Sequence, residues 1–135
     1  MSLRYFLIIS LLFSVITSAQ VTIFSENVGS PSGTTVISSY SGWENNGTLT
    51  FSGDADVRNT GVSSGYTGAS GSGNVFITNT SGRFFQISGI NTSNYTSLSL
   101  SLGHFTNQTT NVTQLVIEVS SDGTAYTSLT YTRAF

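Results

Sequence analysis

Downstream of Ala19 the chain alternates apolar and polar residues with a period of two, and no stretch repeats at helical spacing. A period of two puts one set of side chains on each face of an extended strand, so the pattern describes half-buried β-structure and excludes a helical bundle. Ser97 to Leu102 (SLSLSL) is the clearest instance, with Leu98, Leu100 and Leu102 on one face and serines on the other. Leu115 to Ser120 (LVIEVS) repeats it. Further candidate strands are Val21–Ser25, Thr48–Ser52, Ala55–Asn59, Asn74–Thr78, Phe84–Ser88 and Ser128–Thr132. Gly, Asn and Ser occupy the gaps between them. Asp122-Gly123 falls between two alternating segments and predicts a hairpin, because both residues tolerate positive φ. Many short strands with regular turns predict an all-β, antiparallel sandwich or barrel.

The strands begin immediately after a different kind of segment. Residues 1–19 read as a secretory signal peptide: Arg4 supplies the positive charge, Phe6 to Ile16 is uninterruptedly apolar, and Thr17-Ser18-Ala19 offers small residues for cleavage. The apolar run is far shorter than the roughly 20 residues that span a bilayer. Export through the Sec pathway is therefore expected, to the extracellular space or the cell surface. Of the 135 residues, about 116 remain after the cut, enough for one domain with its own core. Cysteine is absent, so packing and hydrogen bonds must hold the fold without disulfides, and no Cys follows the cleavage site to carry a lipid anchor. Gly61 to Gly73 (GVSSGYTGASGSG) has a linker's composition, but strand signals resume directly after it. It is read as a loop within the domain comprising residues 20–135.

Charged residues make up only 7% of the chain and lysine is absent. Without the leader, three arginines face six acids. Such a surface has little with which to displace counterions from phosphates, so neither nucleic acid nor an anionic membrane is expected as a partner. Ser, Thr, Asn and Gly must form the exterior. That composition suits sugar contacts, and equally a plain soluble sheet surface.

At Asp56 to Thr80 (DVRNTGVSSGYTGASGSGNVFITNT) and Gly82 to Gly103 (GRFFQISGINTSNYTSLSLSLG) the chain resembles a β-sandwich domain common in secreted Bacteroidetes proteins. It is similar to the jelly-roll, carbohydrate-binding-module-like domains found beside nuclease, phosphatase or lamin-tail domains in multidomain exported proteins. Many of those proteins end in a type IX secretion sorting tail. Val119 to Arg133 (VSSDGTAYTSLTYTR) is similar to the family's strand–Asp-Gly–strand hairpin, with Tyr126 where many relatives carry Trp. The resemblance spans essentially the whole mature chain and implies a jelly-roll-like sandwich. Relatives continue past the equivalent of Tyr131-Thr132-Arg133 with at least two more strands. The expectation is thus an N-terminal fragment lacking its last strands, joined in the full-length protein to a downstream domain.

Candidate chemistry is sparse. One His and no Cys exclude a Cys–His pair, and no G-x-S-x-G elbow marks a nucleophile that His104 might serve. A glycosidase needs two carboxyl groups flanking the scissile bond, and no pair among the six acids stands out. A non-catalytic module is expected. For glycan recognition, Tyr40, Trp43 and Tyr66 offer ring faces, with Glu44, Asn45 and Asn46 beside Trp43 in SSYSGWENNG as polar partners. Against this, Trp43 has the size of a residue that packs into a core.

For a structural calcium ion, Asp54 and Asp56 offer hard oxygens that would share one strand face with Arg58. The plainer reading is a solvated Asp56–Arg58 pair. The resemblance to carbohydrate-binding jelly rolls, which often hold calcium with ligands near the first and last strands, implies instead Glu26 as the metal ligand, with its partners in the strands beyond this chain. Six Asn-x-Ser/Thr matches, at Asn46, Asn79, Asn91, Asn94, Asn107 and Asn111, are read as chance in a chain so rich in these residues.

Three functions follow as expectations. The first is a secreted accessory module that binds glycans or mediates adhesion. The second is a structural spacer beside a hydrolase such as a nuclease or phosphatase. The third is a hydrolase acting on polysaccharide.

Overall fold

The computed structural model describes residues 20–60, 72–106 and 115–133. Residues 1–19, read above as a signal peptide, most of the Gly61–Gly73 stretch with Tyr66, and Asn107 and Asn111 lie outside the described residues.

The described chain is all-β, with antiparallel pairing throughout its named strands and one 3-10 turn. The strands are β1 (Thr35–Val36), β2 (Thr50–Gly53), β3 (Asp56–Arg58), β4 (Asn74–Phe76), β5 (Phe85–Ser88), β6 (Glu118–Val119) and β7 (Thr127–Ser128). They form a three-stranded sheet ordered β1-β3-β4 and two pairs, β2-β5 and β6-β7. In β3, Val57 is fully buried while Asp56 and Arg58 flank it half-exposed, as a period of two requires. The expected segments around residues 50, 57, 75 and 86 all become strands.

One buried cluster joins the sheets. Ile37, Trp43, Ala55 and Val57 form it, and Val28, Tyr40, Phe51, Val75 and Phe85 pack against it. Ile37 arrives on the 3-10 turn (Ile37–Ser39) that follows β1, an element the alternation did not signal. Ala55 sits, buried, where the chain passes from β2 to β3. At the end of β2, Gly53 adopts φ +129, and a Cβ there would run into the Phe84 carbonyl. The glycine thus lets β2 pair closely with β5, where Gly53 faces Phe85.

Two expected strands are corrected. Val21–Ser25 forms no strand; the segment is held by side-chain bonds, with Gln20 Nε2 donating to Ser99 Oγ (3.0 Å) and Asn45 Nδ2 to the Ser25 carbonyl (2.6 Å). Ser97–Leu102, the most regular alternation in the sequence, is not a strand either. Ser97 takes φ +56, and Leu98, Leu100 and Leu102 are each more than half exposed. Alternation defines the faces a strand would have but supplies no neighbour to pair with.

The Asp122-Gly123 hairpin forms as expected. β6 pairs with β7 through Glu118↔Ser128 and Val119↔Thr127, and Gly123 takes φ +74. Its strands are shorter than predicted. Leu129 N donates to the Ile117 carbonyl (2.8 Å), and the Tyr131 hydroxyl donates to the Leu115 carbonyl (2.8 Å).

Candidate functional site

Tyr40, Trp43 and Asn45 do come together, and Glu26 joins them from a segment 14 to 19 residues away in sequence. The organising group is the Glu26 carboxylate. Its Oε1 accepts from Val28 N (2.8 Å) and Glu44 N (2.9 Å), and its Oε2 accepts from Asn45 N (3.1 Å) and Asn45 Nδ2 (3.1 Å). Partial burial pushes this carboxyl up. The donors from Glu44, Asn45 and Val28 outweigh that and hold it below its ordinary value. The bonds tie the segment preceding β1 to the loop that carries Trp43.

The same latch supports an unusual backbone. Val28 has φ +62, a region a β-branched residue avoids, and Gly29 follows at φ +59. Asn27 Oδ1 accepts from Gly29 N (2.8 Å), and the Tyr40 hydroxyl donates to the Val28 carbonyl (2.7 Å). Burial, and secondarily the Glu26 charge, push the Tyr40 phenol above its ordinary value, so it stays protonated and remains a donor.

Trp43 is a core residue. It is 5% exposed, stacks on Phe51 (centroids 4.3 Å, interplanar 6°) and Phe85 (5.6 Å, 18°), and meets Tyr40 edge to face (5.1 Å, 85°). Its ring therefore serves the sheet-to-sheet cluster, and the open ring face that sugar stacking requires is taken by phenylalanine. Asn45 is likewise engaged, with its amide donating to Ser25 and Glu26.

The carboxylates offered for a calcium ion, Asp54 with Asp56 and separately Glu26, each meet other partners. Among the described residues no group of three His, Cys, Asp or Glu side chains converges. Glu26 faces N–H donors. Asp54 lies outside β3, in the corner after β2; it accepts from Phe84 N (2.9 Å) and pairs with Arg83 (3.4 Å). Asp56 pairs with Arg58 at 2.8 Å, as the plainer reading had it. The Arg58 guanidinium also lies 3.7 Å from the centroid of the Phe76 ring. His104 contacts Arg133, Nδ1 to Nη2 at 2.7 Å; partial burial and then that cation lower its pKa.

Two shallow grooves flank the cluster. One, of about 300 Å³, is floored by Ile37, Trp43 and Phe51 and rimmed by Ser38, Asn46 and Thr50. The other, of about 220 Å³, lies between Ile23, Phe24, Leu49 and Ile90, with Asn45 and Asn91 at its edge. Sequence reasoning named Asn46 but missed Ser38, Thr50 and the Glu26 latch. The latch joins residues 18 and 19 positions apart, and no local pattern marks such a pairing. Compared with known proteins, the chain matches no family model, no curated protein and no solved structure.

Proposed function

We propose that this chain is an exported, non-catalytic accessory β-module, sandwich-like in build, that serves as a structural and spacing element beside a partner domain in an extracellular or cell-surface protein. The observation that carries this reading is how the polar and aromatic groups around the core are used. Glu26, Tyr40, Trp43, Asn45, Asp54 and Asp56 all meet partners within the fold. Side chains so engaged stabilise a scaffold and are not poised to attack or protonate a substrate. A glycan array and a panel of polysaccharides test it: the purified chain is expected to retain no glycan and release no product. Turnover abolished by Glu44→Gln would replace the proposal with the hydrolase reading.

Glycan binding is the second reading, favoured by the groove beside Trp43. Its lining combines the aromatic residues Tyr40, Trp43 and Phe51 with Ser38, Thr50 and Asn46. If it holds, the array gives a hit that Asn46→Ala and Thr50→Ala weaken together while the melting temperature stays unchanged.

A further inference from the structure

The chain contains two dipeptides of the kind prone to cyclic imide formation, Asn46-Gly47 and Asp122-Gly123, and the fold treats them oppositely. In both, the glycine has no Cβ to keep its amide nitrogen from the preceding side-chain carbonyl carbon.

At Asp122 the reactants are restrained. Oδ1 accepts from Thr124 N (2.8 Å), Ala125 N (2.8 Å) and the Ser120 hydroxyl (3.0 Å). The Gly123 nitrogen that would attack instead donates to Ser120 Oγ (2.8 Å). The donors from Ala125, Thr124 and Ser120 hold this carboxyl well below the usual range, so it stays ionised and a poor electrophile.

At Asn46 the main chain of the turn is fixed and the side chain is not. Asn46 N donates to the Trp43 carbonyl (3.2 Å), while Thr48 N and Leu49 N both donate to the Asn45 carbonyl (3.1 Å). Asn46 also bridges to Leu49 across the turn, while its carboxamide has no hydrogen-bond partner among the described residues. Asn46 is exposed, Gly47 sits at φ +79, and a Cβ on Gly47 would meet nothing within 4 Å, so the turn is open to solvent. The neighbouring Asn45 is tied through its side chain. Asn91 and Asn94 are followed by Thr92 and Tyr95, whose side chains obstruct the same attack.

We infer that Asn46 is a self-modification site, where the folded chain converts its own carboxamide to a carboxylate through a cyclic imide. The Gly47 nitrogen attacks Asn46 Cγ and forms the new N–C bond. Its proton passes to solvent, and the side-chain nitrogen leaves as ammonia. One water then opens the imide at either carbonyl, leaving an aspartate or an isoaspartate at position 46. No electrons change hands, and water is the only co-reactant. The product adds a negative charge to the rim of the groove beside Trp43 and, in the isoaspartate form, lengthens the main chain of that turn. The inference is independent of what, if anything, the groove binds.

Ageing the purified full-length chain at mildly alkaline pH, with and without urea, followed by peptide mapping, tests it. The expected result for the folded chain is a mass gain of about 1 Da, the difference between carboxamide and carboxyl, on the peptide containing Asn46. Isoaspartate at Asp122 should form in urea only. Asn46→Gln should abolish the gain, and Gly47→Ala should slow it several-fold. An Asn46 peptide that stays unmodified in the folded chain while it reacts in urea would overturn the inference. So would isoaspartate accumulating first at Asp122 under native conditions.

Discussion

Phe51 and Phe85 stack with Trp43 inside the fold, whereas Leu98, Leu100 and Leu102, which alternate more regularly than either phenylalanine's strand, stay open to solvent. The two regions differ in what faces them. Around Trp43, two sheets and the 3-10 turn converge from both sides, so each apolar side chain is covered by another. Around the leucines no strand pairs among the described residues, and Val116, Val119 and Tyr126 in the hairpin region are also exposed. Burial yields about 25 cal/mol per Å² of apolar surface only when water is excluded, and a well-patterned segment without a facing surface gains little. Patterning is thus a statement about potential, and the partner surface decides whether it is realised.

Substitutions should reveal that contrast directly. Trp43→Ala is expected to cost about 3–5 kcal/mol in denaturant unfolding, since it empties the centre of the aromatic stack. A loss near zero would mean that the stack is not the core. Gly53→Ala should follow, at more than about 1 kcal/mol, because alanine neither favours φ +129 nor clears the Phe84 carbonyl.

Glu26→Gln comes next, with an expected cost of about 1–2 kcal/mol for weakening four bonds to a half-buried carboxylate. Its pH signature is distinctive. Because the folded carboxyl lies below its ordinary value of 4.5, its stabilisation is complete above pH 4.5 and is lost as pH falls from there through the lower folded value. The Gln variant should lose that part of the acid dependence, which a melting series from pH 7 to 3 would detect. His104 acts at a different pH. Its folded value lies below 6.5, so protonation opposes the contact with Arg133, and the affected region should begin to loosen as pH falls below 6.5, before the Glu26 latch does.

The smallest effect belongs to the leucine segment. Leu100→Ser should change stability by less than about 0.5 kcal/mol. Hydrogen exchange should protect the amides of β2, β3 and β5 and leave Ser97–Leu102 nearly unprotected. Strong protection there would show that the segment has a partner strand and would erase the contrast between the two regions.

Some of this was legible beforehand. The four central strands and the Asp122 hairpin follow from local rules, alternation in one case and tolerance of positive φ in the other. The candidate site was legible only as a list of residues. Tyr40, Trp43 and Asn45 form one local group in the sequence, and the size of Trp43 points to the core, but the phenylalanines that stack on it are not marked by any local pattern. Glu26 was noticed for its resemblance to a metal ligand, whereas its carboxylate faces N–H groups 18 and 19 residues away.

By itself, then, the sequence determined that this chain is β-built, free of disulfides, and poor in charge, because strand periodicity and composition are properties of neighbouring residues. Only the tertiary structure decided which aromatics are core, which carboxylate is a latch, and which apolar stripe stays uncovered. Those outcomes depend on surfaces meeting across long separations in the chain, and no residue carries a local record of what will face it.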